Sequence, residues 1–450
     1  MAKEKNLNAA HPWAAIRGNR LNTQLSLFPD LEVKSYTNGN ANKLDMNDLP
    51  FHHWYRFVLS FPPHLVREYT NKFQLRTGDT ILDPFCGTGT TVLEAKLNHL
   101  RGIGIEANAM AFFASKVKTN FDVDTENLYD IAQKIAKTAK NIIDNFSSIE
   151  LLKLSPDKET LILKDSISPV PLHKTLLLRN VIRETKSEHT DILLLALATS
   201  TVKYSSNLHF GPEVGVTKKK KHDTDVINDW LSIINMMIRD LSSINRNNYF
   251  ESTIYNEDSR NISTFLKPKS IDAVFTSPPY PNEKDYTRTT RLESVILDFI
   301  TSKQQLRELK QNLLRSNSRN VYKGDDDDQY ILHHPQILKI ANEIENRRIA
   351  LNKTSGFEKM YHKVTKLYFG GMAKHLNSLK PYLKTNALLG YVVGDQASYL
   401  QVYIPTGKIL ADIAEHLGYE VVSLDLFRTR FATATKKDMN EEVLVLKWRG

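Results

Sequence analysis

Thr80-Ile81-Leu82-Asp83-Pro84-Phe85-Cys86-Gly87-Thr88-Gly89-Thr90-Thr91 is the stretch that decides the fold of this chain. A short apolar strand ends on an acid, and a glycine-rich loop follows it. Leu93, Leu97 and Leu100 then fall on one face of a helix that starts near Thr90. Gly102 to Ile105 reads as a second strand, ending on Glu106. Strand, loop, helix and strand open a parallel α/β sheet, whose ligands lie beyond the carboxyl ends of its strands. Gly87 and Gly89 permit tight backbone and a close ligand approach. Glu106 stands where an acid can accept both hydroxyls of a ribose. The loop is not a phosphate cradle: a P-loop needs Lys before its Thr, where Gly89 stands. A dinucleotide loop needs a third glycine, where Val92 and Leu93 stand. Asp83 at the strand tip repels phosphate and favours a cationic ligand such as an ammonium group.

A second cluster follows the strand Ile271 to Phe275: Thr276-Ser277-Pro278-Pro279-Tyr280-Pro281. Three prolines in four positions fix a rigid, extended corner. It presents a hydroxyl, carbonyls without a competing N–H, and an aromatic ring. That set suits a planar heterocycle bearing an exocyclic NH₂. Ser277 and the Pro278 carbonyl can accept its two hydrogens, which draws the nitrogen lone pair out of conjugation. Tyr280 can stack on the ring, a contact worth roughly 1–3 kcal/mol.

Together these segments resemble the amino-group DNA methyltransferases that act on cytosine N4 or adenine N6. Asp83 to Thr91 is similar to their cofactor motif, D-P-F-x-G-x-G-T, and Thr276 to Tyr280 to their catalytic motif, (D/N/S)-P-P-(Y/F). The resemblance implies a Rossmann-like core with a mostly parallel seven-stranded sheet, helical insertions, and S-adenosylmethionine as cofactor. It implies cofactor contacts from Asp83, Pro84, Phe85, Gly87, Thr88, Gly89, Thr90, Glu106 and Asp258, and catalysis at Ser277, Pro278, Pro279 and Tyr280. Phe61, Pro62 and His64 resemble the segment lining the methionine end of the cofactor. Ser277 at the head of the catalytic motif is similar to the cytosine-N4 branch. Adenine N6, an RNA base amine and a catalytically dead reader are the alternatives. Double-stranded DNA is the expected partner, with a cognate restriction endonuclease as a possible second, in a bacterial or phage-encoded cytoplasmic protein.

Residues 92 to 275 separate the motifs, more than the core needs. The expected division is an arm at 1–50, the cofactor half of the core at 51–124, and a helical insertion at 125–249 that is a candidate for target reading. The catalytic part follows at 250–300, a polar helical insertion at 301–380, and the last core strands at 381–450. Within these, 51–72 reads as helix broken at Pro62-Pro63, around Trp54, Phe57 and Val58. Strands are expected at Tyr255 to Asp258, Ala387 to Val393, Glu420 to Leu426 and Glu442 to Trp448.

The 450 residues carry 60 Lys+Arg against 51 Asp+Glu, a surplus that suits a polyanionic partner. The single cysteine, Cys86, excludes an internal disulfide and a cysteine-based zinc site. It lies inside the cofactor loop, so methylation at cytosine C5, which needs a cysteine on its own catalytic loop, is not expected. No metal is expected: His52-His53 and His333-His334 lack ligand spacing, and Asp325 to Asp328 reads as an exposed loop. The longest apolar run, Ile192 to Ala198, is too short for a membrane span. Lys218 to Lys221 can meet phosphates. Pro29-Asp30 with Glu32 and Lys34 has the letters of a nuclease core, but on one short segment that cannot form the usual two-strand site.

Overall fold

The computed structural model describes residues 44–56, 60–145, 150–211, 213–245, 249–262, 265–282, 284–432 and 435–450. Most of the expected arm, the segment Pro29 to Lys34, and Phe57 and Val58 lie outside the described residues.

Among the described residues, nine strands form two sheets. They are β1 (Thr80–Asp83), β2 (Arg101–Ile105), β3 (Leu208–Phe210), β4 (Val214–Val216), β5 (Thr253–Tyr255), β6 (Ile271–Thr276), β7 (Leu383–Gly394), β8 (Glu420–Ala432) and β9 (Lys437–Lys447). The large sheet has the order β5-β2-β1-β6-β7-β9-β8. Its first five strands are parallel, and β9 runs antiparallel to both β7 and β8. The expected Rossmann-like methyltransferase core, mostly parallel and seven-stranded, is therefore present. The chain moves outward from β1 through β2 to β5, then returns to place β6 on the other side of β1. That reversal opens a crevice at the carboxyl ends of β1 and β6.

The buried strands alternate between two cores. Ile81, Ala273 and Phe275 pack with Leu65, Val66 and Tyr69 of the helix Pro63–Lys72. Leu82 and Val274 face the opposite layer, with Tyr368 and Leu376 of the helix Tyr361–Leu379 and Ile409 of the helix Thr406–His416. The helix Tyr361–Leu379 falls inside the stretch expected as a polar insertion, yet it covers the sheet. Its buried Leu367, Tyr368, Phe369 and Met372 make it part of the core. The polar residues on its outer side hid this in the composition.

A third core fills 125–249. The helices Thr125–Asp144, Pro169–Thr185, Thr190–Ser200 and Val226–Ser242 bury Leu193, Leu195 and Trp230 together with Leu93, Met110 and Phe113 of the cofactor half. The hairpin β3–β4 was not expected; its three-residue strands are too short to show a period. Of the helix expected over 51–72, only Pro63–Lys72 forms as an α-helix, started by Pro63 at its first turn. Residues His52–Trp54 make a single 3₁₀ turn. The last two strands extend to Ala432 and begin at Lys437, well past the expected limits. No helix among the described residues is long and apolar enough to cross a membrane.

Candidate functional site

One cavity of about 490 Å³ lies at the crevice, within the usual range of about 300–1,000 Å³ for ligand sites. Pro84, Phe85, Gly87, Thr88, Thr90 and Glu106 line one side. Ser277, Pro278, Pro279 and Tyr280 line the other. Two motifs far apart in sequence thus share one space because β1 and β6 are neighbours in the sheet.

On the first side, the loop after β1 turns into the helix Thr90–Leu97, whose first residues carry no side-chain cap. Its opening amide groups are free to meet a ligand. Glu106 stiffens the loop: one oxygen accepts from the Gly87 amide at 2.8 Å, the other from the Asn108 amide at 2.7 Å. Burial lifts its carboxyl to about 7 against the pull of those amides. The Thr88 hydroxyl is buried, lines the cavity and has no hydrogen-bond partner among the described residues. Gly89 does not line the cavity. It sits at φ +84°, and a Cβ there would lie 2.3 Å from the Ser115 hydroxyl. It lets the helix Ala109–Lys118 close on the loop.

Asp83 also departs from expectation. It is fully buried and absent from the cavity wall. Its Oδ1 accepts from the Thr276 hydroxyl at 2.5 Å and from the Phe85 amide at 3.1 Å. Burial raises its carboxyl to about 6. It ties the cofactor loop to the catalytic corner, rather than offering a charge to a cation. Asp258 is likewise off the wall, in the loop after β5. Its carboxylate is gripped by the Arg260 guanidinium at 2.6–3.0 Å. Its neighbours Glu257 and Ser259 line the cavity instead.

At the corner, the Ser277 hydroxyl donates to the Val392 carbonyl at 3.1 Å. Its proton is thereby spent on β7, and its lone pairs are left to accept. Tyr280 packs on Gly394, where a Cβ would stand 2.9 Å from the ring. Burial, with Glu441 nearby, pushes its phenol far above the ordinary tyrosine range, so it stays neutral. The Asn282 amide is shared by the carbonyls of Tyr280 and Ser316. Through it, the corner meets the segment around Leu313–Ser316, which forms a further wall. Arg315 fixes that segment by a two-pronged bond to Asp325 at 2.8 and 2.9 Å. Asp327 is buried against Arg260 and Lys374. Within the acidic run expected as an exposed loop, Asp326 is exposed, while Asp325 and Asp327 serve as counter-charges to Arg315 and to Arg260 with Lys374.

Sequence reasoning missed Lys118, which is 1 % exposed. Its ammonium donates to the Thr88 carbonyl at 2.7 Å and to the Tyr55 carbonyl at 3.3 Å. Burial lowers its pKa to about 7. The Tyr55 phenol in turn donates to the buried Glu293 at 2.5 Å. A lysine at a helix end ordinarily faces water, but this one is closed in by the segment carrying Tyr55 and the loop carrying Thr88. Lys118→Met is expected to strand both carbonyls, each at a cost of about 1–3 kcal/mol. The unfolding midpoint in urea should fall, and cofactor affinity with it. An unchanged midpoint would show that the two carbonyls do not depend on Lys118.

The remaining candidates have structural partners. Phe61 lines the cavity, while Pro62 and His64 do not. His52 bonds Glu94 at 2.8 Å, within a network that also holds Arg67 and Asp48. Lys220 and Lys221 donate to the carbonyls of Thr217 and Tyr204. Cys86 is buried and its thiol is pushed well up by burial, which leaves it a poor nucleophile. Among the described residues, no group of acidic, histidine or cysteine side chains could hold a metal ion.

A family model of the N6/N4 type, described as DNA methylase, matches residues 6–116. The Type II methyltransferase M.BsoBI of Geobacillus stearothermophilus is 25% identical over 423 residues, which cover 86% of this chain and 82% of that protein. The Type II methyltransferase M.AvaI of Nostoc sp. is 22% identical over 400 residues, covering 83% and 80%. A tRNA (guanine(10)-N2)-dimethyltransferase of Methanothermobacter thermautotrophicus is 34% identical, but over only 95 residues, 21% of this chain and 26% of its own. The sheet order, the shared cavity and relatives that match over more than four fifths of the chain together support the N4/N6 amino-methyltransferase family for this protein.

Proposed function

We propose that this chain transfers a methyl group from S-adenosylmethionine to the N4 amine of cytosine in double-stranded DNA, as the protective half of a restriction–modification pair. The observation that carries the reading is the cavity common to the cofactor loop and the catalytic corner. When bound, S-adenosylmethionine supplies an electrophilic methyl group on a sulfonium. Glu106 would accept the ribose hydroxyls, and the unpartnered Thr88 hydroxyl fits a polar ligand on the same wall. Ser277 and the Pro278 carbonyl accept the two amine hydrogens, which leaves the nitrogen lone pair to attack. Tyr280 holds the flipped base by stacking. Holding both reactants in line provides most of the rate. The Nostoc and Geobacillus relatives favour DNA over RNA, since they match along the chain where the tRNA enzyme matches only a fifth of it. The 125–249 block is the candidate reader of the target sequence; its hairpin brings Glu213 to the cavity wall.

Nucleoside mass spectrometry on unmodified DNA, incubated with the protein and S-adenosylmethionine, tests this. N4-methylcytosine is expected. N6-methyladenine would reject the base, and methylation confined to RNA would reject the DNA substrate.

The reading also sets a pH dependence. Glu106 accepts hydroxyls best as a carboxylate, and its carboxyl is raised to about 7. Cofactor affinity should therefore climb as pH rises through about 7 and level off above it. Glu106→Gln should bind weakly with no such climb, as read by calorimetric titration at pH 6 and 8. A flat wild-type profile would remove Glu106 from the ribose site.

A further inference from the structure

The strands β8 and β9 do not stop where the sheet stops. Gly394 at the end of β7 pairs with Glu441, the Asp395 amide still reaches the Asn440 carbonyl at 2.8 Å, and beyond that the two-stranded ladder continues alone. Thr429, Arg430, Phe431 and Ala432 pair with Asn440, Met439, Asp438 and Lys437. The three pairs past Asn440 carry the ribbon roughly 10 Å beyond its neighbour. It leaves the sheet at the edge where the cavity opens, since Arg428, Arg430 and Glu441 line that cavity. Arg430 braces it with a bond to the Asp395 carbonyl at 2.8 Å.

The free part has an unusual surface. Lys436 and Lys437 are exposed near its end. Phe431 is 62 % exposed, on the ribbon face opposite Arg428 and Arg430, and Leu426 at 58 % shares that face. A two-stranded ribbon gains nothing in water from an uncovered phenylalanine.

We propose that this ribbon is a duplex-contacting element: Lys436 and Lys437 meet backbone phosphates while Phe431 presses on base steps beside the flipped target. The proposal rests on the DNA reading above. A two-stranded ribbon fits the major groove. Apolar side chains set against base steps unstack them, and a base leaving the stack must be replaced at some energetic cost. The cavity-lining arginines at the root of the ribbon place its tip beside the duplex whenever a base occupies the cavity.

The test uses the full chain. Wild type, Phe431→Ala and the double variant Lys436→Ala/Lys437→Ala are titrated against fluorescent duplex DNA across a salt series. Methyl transfer to unmodified plasmid is measured in parallel. The double variant should lower the slope of log affinity against log salt by about 2. Phe431→Ala should raise KM for DNA about tenfold with the slope unchanged. Cofactor affinity should be unaltered in both, which also reports correct folding. Variants that bind and methylate DNA as wild type does would overturn the proposal. So would a loss of self-association in Phe431→Ala with DNA binding intact, which would make this face a contact between copies. A wild-type protein that neither binds nor methylates DNA would instead refute the DNA reading, and the ribbon's role with it.

Discussion

Tyr280→Ala lowers kcat/KM for DNA by about 5- to 150-fold, the range set by losing one aromatic–base stack. Cofactor affinity stays within about twofold, because the ring belongs to the corner after β6 and not to the loop after β1. Tyr280→Phe keeps most of the activity. The phenol is buried and held neutral, so the ring is its contribution and not a proton. Steady-state kinetics with DNA and with cofactor as the varied substrate separate these effects. If Tyr280→Phe were as damaged as Tyr280→Ala, the hydroxyl would be the working group and stacking would be the wrong account.

Asp83→Ala has the second large effect, and it arrives through alignment. The Asp83 carboxylate is the joint between the two halves of the site, bonded to Thr276 at the foot of the corner and to Phe85 in the loop. Removing it leaves two buried donors without an acceptor, at about 1–3 kcal/mol. A displacement of about 1 Å between reactants is enough to cost about 100-fold in rate. The expected result is a loss of kcat of that order, with a lower unfolding midpoint. Asp83→Asn keeps an oxygen for both donors and should recover most of the rate. It also removes a pH effect. The carboxyl is raised to about 6 in the fold, so the folded chain holds its proton more tightly than the unfolded chain does. This contribution is complete below the ordinary aspartate range and is lost as pH rises through about 6. The asparagine variant should lack that slope in denaturant midpoints taken from pH 4 to 7. A kcat in Asp83→Ala equal to wild type would show that the joint is decorative.

The sheet was legible because buried parallel strands are short apolar runs closed by glycine, proline or an acid, as at Thr80–Asp83 and Ile271–Thr276. The pairing of the two motifs across the crevice was legible for the same reason. Asp83 and Asp258 were misplaced because spacing puts a residue at a strand end without saying which way its carboxylate turns. Partners settled that, and the partners, Thr276 and Arg260, compete with any ligand. Gly89 reads the same whether a ligand or a helix approaches it. Lys118 left no signal because its burial comes from the segment carrying Tyr55 and the loop carrying Thr88 closing over it. The overhanging ribbon escaped notice because Arg428-Thr429-Arg430 alternates without an apolar face, so period alone could not extend the strand beyond Leu426.

The helical block at 125–249 shares its interior with the helices on either side of β2, through Leu93, Met110 and Phe113. Whatever that block reads, it is not a cassette. Exchanging it for the corresponding block of a relative would uncover those side chains or mismatch them, and the cofactor loop would lose its backing in the same step. If the block is the target reader proposed above, new sequence preference comes by point changes on its surface, with the interior carried along unchanged.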